Sequence, residues 1–329
     1  MTRYPYAARL NSFYARPEAF WLGRSEQPTT LDLINRAATV EGLSAVDINY
    51  PQQAEGLDTS ELRDHIADRG LSLNGYAMRY NGDADFTSGA FTHADPAIRQ
   101  RAIDLTRRGL DEAREAGGTM LTLWLGQDGV DHPFEREYGR LWELEVEGIR
   151  AVAEHDPNFP VSIEYKPNEP RARSVLPNIA ATLLAIEEAG SPNLGITLDF
   201  AHVLYGDESP AMALAMVHRR SRMLGLHIND GYGKRDDGLM VGAVHTVQTI
   251  EFLRQLRHGG FDRTIYFDTF PEGAALDPVA ECAANIATME AMFDVIERLP
   301  EAELDAALEA GDAVAAQRLV QTAIFGRGG

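Results

Sequence analysis

The chain has 329 residues, with 50 acidic against 30 basic side chains and a net charge of −20, a balance that argues against a nucleic-acid or anionic-membrane surface, since both need clustered Lys and Arg. No run approaches the roughly 18 to 20 apolar residues that span a bilayer, and MTRYPYAARLNSF at the N-terminus has no apolar signal core. The one cysteine, Cys282, cannot form an internal disulfide and reads as core, so the expected location is cytoplasmic, and the acidic balance makes small neutral ligands or proteins the expected partners.

From the N-terminus onward, apolar runs of strand length alternate with longer segments whose apolar residues recur every three or four positions. Strands are expected at 8–13, 45–49, 71–78, 120–125, 161–164, 194–199, 223–228 and 264–267, and helices at 31–40, 59–69, 96–116, 135–155, 175–189, 210–220, 246–258 and 278–298. Gly42, Gly70, Gly117, Gly190 and Gly259 fall where a helix would stop and a left-handed residue is needed. Pro96, Pro210 and Pro278 suit a first turn, where the missing N–H costs nothing.

Strict alternation joined by right-handed crossovers implies parallel strands, and eight repeats predict a closed (β/α)₈ TIM barrel. A doubly wound sheet would usually have fewer strands and a glycine-rich phosphate turn, which is absent. The barrel is assigned to residues 1–298 and a C-terminal helical extension to 299–329, an acidic, alanine-rich pair of helices joined at Gly311. Leu304, Leu308, Leu319, Val320, Ile324 and Phe325 would leave that extension with exposed apolar area unless it caps the barrel or packs against a sister subunit, so a homo-oligomer is expected. The loops at 14–30, 80–94, 126–134 and 229–245 follow strands and project at the carboxyl face, where barrel sites are built.

Four of the later strands end in cation-binding groups: Glu164, Asp199, His227 and Asp268. Any one of them alone would most simply face solvent. Four at the same end of successive strands would desolvate or repel one another without an ion, and three carboxylates with one imidazole suit Mn²⁺, with Mg²⁺ or Co²⁺ as alternatives, over a thiolate metal. In VSIEYKPNEPR, residues 161–171, Lys166 follows Glu164 by two positions, and Pro167 and Pro170 prevent the segment from continuing as a central strand or a helix.

Residues 164–171, EYKPNEPR, resemble the strand-five E-x-K-P-N-E-P-R signature of the xylose isomerase-like barrels, a superfamily of xylose and rhamnose isomerases, ketose 3-epimerases and related lyases. Gly89-Ala90-Phe91-Thr92 is similar to that family's G-G-F-T segment, and Trp124 matches the tryptophan on which it packs the sugar. The resemblance runs from about residue 78 to 297. It implies that Glu164, Asp199, His227 and Asp268 ligate a divalent metal, that Lys166 hydrogen-bonds a substrate oxygen, and that His202, in DFAH, stands by the substrate. Glu164, Lys166, His202 and Asp268 are then the catalytic set, with Trp124, Lys166 and His202 touching substrate. Asp236 matches the first acid of a second metal site that His202 would share, but Gly238 fills the slot of the next acid. His93 is the nearest position to the ring-opening histidine of the xylose isomerases and is not a match.

The function this resemblance implies is metal-dependent aldose–ketose isomerisation of an unphosphorylated sugar. The alternatives are a sugar 3-epimerase and a single-metal lyase that cleaves 3-oxo-C-glycosides by α-proton abstraction and elimination, the latter with room for a smaller accessory subunit. The single-ion pattern favours the lyase or the epimerase; Lys166 and Asp268 favour the isomerase. A non-catalytic sugar-binding subunit is disfavoured because all four ligand positions are present. Arg24 and Arg171 are weaker candidates for sugar or carboxylate binding, since an arginine beside several acids more often neutralises them, and Trp21 could equally be loop packing.

Overall fold

The computed structural model describes residues 2–21 and 28–326. Its eight parallel strands are β1 (Tyr6–Arg9), β2 (Ala45–Tyr50), β3 (Ser72–Met78), β4 (Met120–Trp124), β5 (Val161–Glu164), β6 (Leu194–Asp199), β7 (Met223–Ile228) and β8 (Ile265–Phe267). Each pairs with its sequence neighbours, and β1 pairs with β8, so the sheet closes into a barrel. β2, β5, β6 and β8 are buried along their whole length, which is why they read as apolar runs without alternation.

The surrounding helices are α1 (Thr30–Ala37), α2 (Thr59–Asp68), α3 (Pro96–Glu115), α4 (Tyr138–Ala153), α5 (Ile179–Ala189), α6 (Pro210–Arg220), α7 (Thr246–His258) and α8 (Pro278–Glu297). Their starts are set by short polar side chains that accept otherwise unpartnered N–H groups: Asp58 from Ser60 and Glu61, Asp95 from Ala97, Asn178 from Ala181 and Asp277 from Val279. Pro96, Pro210 and Pro278 open their helices as expected. The left-handed stop expected at Gly259 falls one residue later: Gly259 is still helical and Gly260 has φ +70°.

β1 lies earlier than the run at 8–13 suggested. The apolar residues beyond Arg9 form a short 3₁₀ turn, Leu10–Tyr14, because Leu10 and Phe13 are buried and Ser12 Oγ donates to the Thr269 carbonyl oxygen at 2.7 Å. The run is apolar in order to pack, not to pair.

The extension forms α9 (Glu301–Glu309) and α10 (Ala313–Phe325). Arg254 of α7 pairs with Glu301 and Asp305, and Arg298 donates to the Ala323 carbonyl oxygen, fastening both helices to the barrel wall. Of the apolar residues expected to need cover, Leu304 is buried and Leu319, Val320 and Ile324 pack partly, while Leu308 and Phe325 remain exposed at 53% and 70%. No helix among the described residues is long and apolar enough to cross a membrane.

The mouth loops after β3, β4 and β5 are tied together. A two-stranded antiparallel ribbon pairs Gly129–Val130 with Arg173–Ser174. Asp128, fully buried beside it, accepts N–H bonds from Ala90, Phe91 and Thr92 and the Thr92 hydroxyl. Arg171 pairs with Asp131 and Glu135 and donates to the Thr87 carbonyl oxygen, so it braces the loops instead of facing the cavity.

Candidate active site

The strand registers place Trp124 beside Glu164 across β4 and β5, and Asp199 beside His227 across β6 and β7. Asp268 follows the last residue of β8. Closure of the barrel therefore brings Glu164, Asp199, His227 and Asp268 to one point: a ligand atom from each lies within 4.8 Å of the others, and all four are buried.

That cluster has the features of a cation site. Glu164 Oε2 and His227 Nε2 are buried without a hydrogen-bond partner among the described residues, a costly arrangement unless something binds them. Asn229 Nδ2 donates to both oxygens of Asp199 at 3.3 and 3.2 Å and to the Asp268 carbonyl oxygen at 3.0 Å, and the His202 N–H donates to Asp199 Oδ1. These outer bonds hold the carboxylate in place before any ion arrives.

The charges are strongly redistributed. Burial would raise Glu164, but His227, whose Nδ1 lies 3.1 Å from Oε1, and then His202 and Arg79 outweigh it and bring the carboxyl down to about 2. Burial pushes Asp199 up to about 7, partly opposed by His202 and reinforced by Asp236, Asp268 and Glu164. Asp268 is also raised by burial, against His227 and Arg9, whose Nε stands 3.7 Å from Oδ1. Burial lowers His227, but Glu164, Asp268 and Asp199 overcome it and leave the imidazole at about 9.

His202 sits in a short helix, Phe200–Tyr205, directly after Asp199. Its Nδ1 faces the Tyr165 carbonyl oxygen at 3.0 Å and its Nε2 faces Asp236 Oδ2 at 3.1 Å. With acceptors on both sides, and with Asp199 and Asp236 overcoming the effect of burial, the ring is held at about 9. Lys166 Nζ donates to the same Asp236 oxygen at 3.0 Å and pairs with Glu169 at 3.2 Å, so its partner is not Glu169 alone. Asp236 is correspondingly lowered: burial opposes the shift, and His202 and Lys166 drive it.

A cavity of about 380 Å³ opens over the cluster, lined by Glu164, Lys166, His202, Asp236, Asp268 and Trp124 together with polar residues from the first three strands and their loops. Lys166 Nζ lies 5.6 Å from the Trp124 ring centroid. His93 is not in the lining and accepts the Asp95 N–H on Nδ1. Trp21 stacks under Arg36, whose guanidinium carbon lies 4.9 Å from the ring centroid, and Arg24 is outside the described residues.

Gly238 has φ +56°, and a Cβ there would lie 2.3 Å from Phe270 Cδ2. A side chain at that slot is incompatible with the present packing, so Asp236 and His202 have no second acid at that position, and Asp236 is engaged by Lys166 and His202 instead.

Sequence reading missed the cavity's other half: Arg9, Asn11, Asn49, Gln53 and Arg79 also line it. It also missed Asp47 on β2, a buried carboxyl that desolvation pushes up to about 7. The available signal was positional, since Arg9, Asn49 and Arg79 stand at or near the carboxyl ends of β1, β2 and β3.

A family model described as a xylose isomerase-like TIM barrel matches residues 35–292. Among curated proteins, the chain is similar to the xylose isomerase of Thermus thermophilus, 22% identical over 224 residues. That match covers 66% of this chain and 58% of the relative's length. Among solved structures, L-ribulose 3-epimerase is similar with a TM-score of 0.66 at 18% identity, covering 92% of this chain and 98% of that one. The D-allulose 3-epimerase from Methylomonas sp. in complex with D-allulose gives 0.67 at 16% identity, covering 89% and 98%. The 3-keto-D-glucoside 4-epimerase from E. coli gives 0.60 at 15%, covering 86% and 100%.

Proposed function

Because this chain belongs to the xylose isomerase-like TIM barrel family, we propose that it is a divalent-metal-dependent sugar isomerase or epimerase, moving hydrogen at a carbon next to the carbonyl of an unphosphorylated sugar. The observation that carries the reading is the convergence of Glu164, Asp199, His227 and Asp268 with buried atoms of two of them unpartnered. The donor set suits Mn²⁺ first, with Mg²⁺ or Co²⁺ as alternatives. An ion held there would supply polarisation of the substrate carbonyl.

The chain's own groups divide the remaining work. Glu164 and Asp268 flank the cluster with acidities pushed in opposite directions, Glu164 down and Asp268 up. With an ion held between them both carboxylates are kept deprotonated, and either one, at the edge of the cluster, is placed to take the proton from the carbon next to the carbonyl. Lys166 stays charged, raised by Asp236 against burial, and presents its N–H groups to a substrate oxygen. His202 and Asp236 fix the lysine's position, and Trp124 gives the sugar an apolar face.

Proton transfer through carboxylates is favoured over a hydride shift, because a second ion would have to compete with Lys166 for Asp236 and would find no acid at Gly238. Aldose–ketose isomerisation is the first reading and epimerisation the second. The test is a sugar panel in deuterated water with metal-free and Mn²⁺-reconstituted protein. A ketose product carrying solvent deuterium supports the isomerase, inversion with deuterium supports the epimerase, and ketose free of deuterium points to a hydride shift. Release of the aglycone from a 3-oxo-C-glycoside selects the lyase, and turnover in thoroughly metal-free protein rejects the metal-dependent reading.

A further inference from the structure

The cavity carries three arginine and lysine side chains among the described residues, and two of them are already matched. Arg9 lies against Asp268 and Glu272, and Lys166 lies against Asp236 and Glu169. Arg79, just past β3, is different. Among the described residues its guanidinium donates one hydrogen bond, to the Met78 carbonyl oxygen at 3.1 Å, and no carboxylate lies within ion-pair distance. Asp47 and Glu164 feel its charge without bonding it, Asp47 being pushed up to about 7 by burial and Glu164 being engaged by His227.

The guanidinium lies over Trp124, its carbon 5.3 Å from the ring centroid, on the ring that Lys166 also approaches. Arg79 is therefore held at the cavity wall by a stacking contact and one backbone acceptor, with the rest of its donor fork uncommitted. The same cavity is lined by Asn49, which is buried, and Asn81, which is exposed, and neither side-chain amide bonds to a protein group among the described residues. A half-buried cation with uncommitted donors, in a cavity whose lining also carries two side-chain amides, is a binding surface for a planar anion.

We propose that this cavity takes a sugar acid, a substrate carrying a carboxylate, and that Arg79 receives that carboxylate, with Asn49 and Asn81 in the same lining. This rests on reading the cavity as the site of sugar isomerisation, and it adds that the sugar's far end is charged. A phosphoryl group suits the place less well. It brings up to two charges and more acceptor oxygens, and is typically met by a helix N-terminus, a nest of backbone N–H groups or several cations, whereas here one uncommitted guanidinium and two amides are on offer. A neutral hydroxymethyl group would leave the guanidinium fork without a charged partner.

The experiment is calorimetric titration of matched pairs that differ only at the terminal group: D-glucuronate against D-glucose, D-galacturonate against D-galactose, and D-gluconate against D-glucitol, with glucose 6-phosphate as the phosphoryl arm. It is run on Mn²⁺-loaded and on metal-free protein, because an ion could itself attract the carboxylate. The expected result is an acid bound at least about tenfold more tightly than its neutral partner in both metal states, about 1.4 kcal/mol. In Arg79→Met, which retains an apolar stem against Trp124, the members of that pair should converge to within about threefold.

Equal or weaker binding of the acids, a preference that survives Arg79→Met in folded protein, tighter binding of the phosphate, or no acid bound at about 10 mM would each overturn the proposal. Failure of the isomerase reading looks different: an Arg79-dependent preference for acids with neither ketose nor epimer formed from any bound sugar and no solvent deuterium entering it. Turnover of neutral sugars with no acid preference would leave that reading intact and discard this one.

Discussion

Lys166 Nζ and Asp236 Oδ2 are 3.0 Å apart, and the same oxygen faces His202 Nε2 at 3.1 Å. One carboxylate thus holds two cationic groups at the edge of the cavity. Asp236→Asn should leave the barrel folded while weakening the hold on both. In a pH–rate profile the loss should appear chiefly in kcat, by about ten- to a hundredfold. Lys166→Met should cost more, on the order of a hundred- to a thousandfold, the range for removing one preorganised donor from an oxyanion. A Lys166→Met enzyme with near-normal kcat would remove the lysine from the mechanism.

The ligand cluster predicts a metal count. Protein reconstituted with Mn²⁺ and measured by elemental analysis should hold one tightly bound ion per chain, and Glu164→Gln or Asp268→Asn should lose most of it and most of the activity. Circular dichroism should show the barrel intact in both variants, since neither residue supports the hydrophobic core. Two full-occupancy ions would contradict the single-site reading.

Gly238 offers a separate test. Gly238→Asp supplies the acid that a second ion would want, but its Cβ meets Phe270 at 2.3 Å and its φ is +56°. The expected result is destabilisation by about 1–3 kcal/mol, typical of overpacking, read as a lower midpoint in urea, with the metal count unchanged. A stable variant holding an additional ion would show that the slot is more adaptable than its packing indicates.

Glu145 on α4 predicts how stability responds to pH. Its carboxyl is fully buried, both oxygens lack partners, and burial, with Asp128 adding to it, raises it well above its ordinary 4.5. Above 4.5 the unfolded chain has released this proton while the folded chain keeps it, so this group makes stability fall as pH rises from that value toward the folded one. Glu145→Gln cannot ionise. Unfolding midpoints from pH 4 to 8 should show its advantage over the parent growing with pH, to about 1–3 kcal/mol, the cost of a buried polar group without a partner. Parallel curves would mean that Glu145 titrates normally.

The barrel was legible because buried parallel strands are apolar on both faces, and the ends of β5, β6 and β7 could be placed to the residue, since a charged or polar group closes each run. Glu164, Asp199, His227 and Asp268 stood out for the same reason: an acid or imidazole at the end of an apolar run is conspicuous. Arg9, Asn49 and Arg79 were not, although they line the same cavity, because a polar residue at the end of an early strand looks the same whether it faces water or a ligand. Asp236 could be placed only through resemblance, lying in a loop with no period to read. Asp128 and Glu145 were invisible, their burial being set by packing between loops and a helix distant in sequence.

Asp128 joins the loops after β3 and β4 through four hydrogen bonds, and Arg171 and the ribbon carry the tie to the loop after β5. For anyone recombining parts of related barrels, these three segments make up a single module. Grafting one of them alone would strand the buried carboxylate, the amides it serves or the acids that Arg171 pairs with, so a transplant of substrate preference on this flank should move all three together.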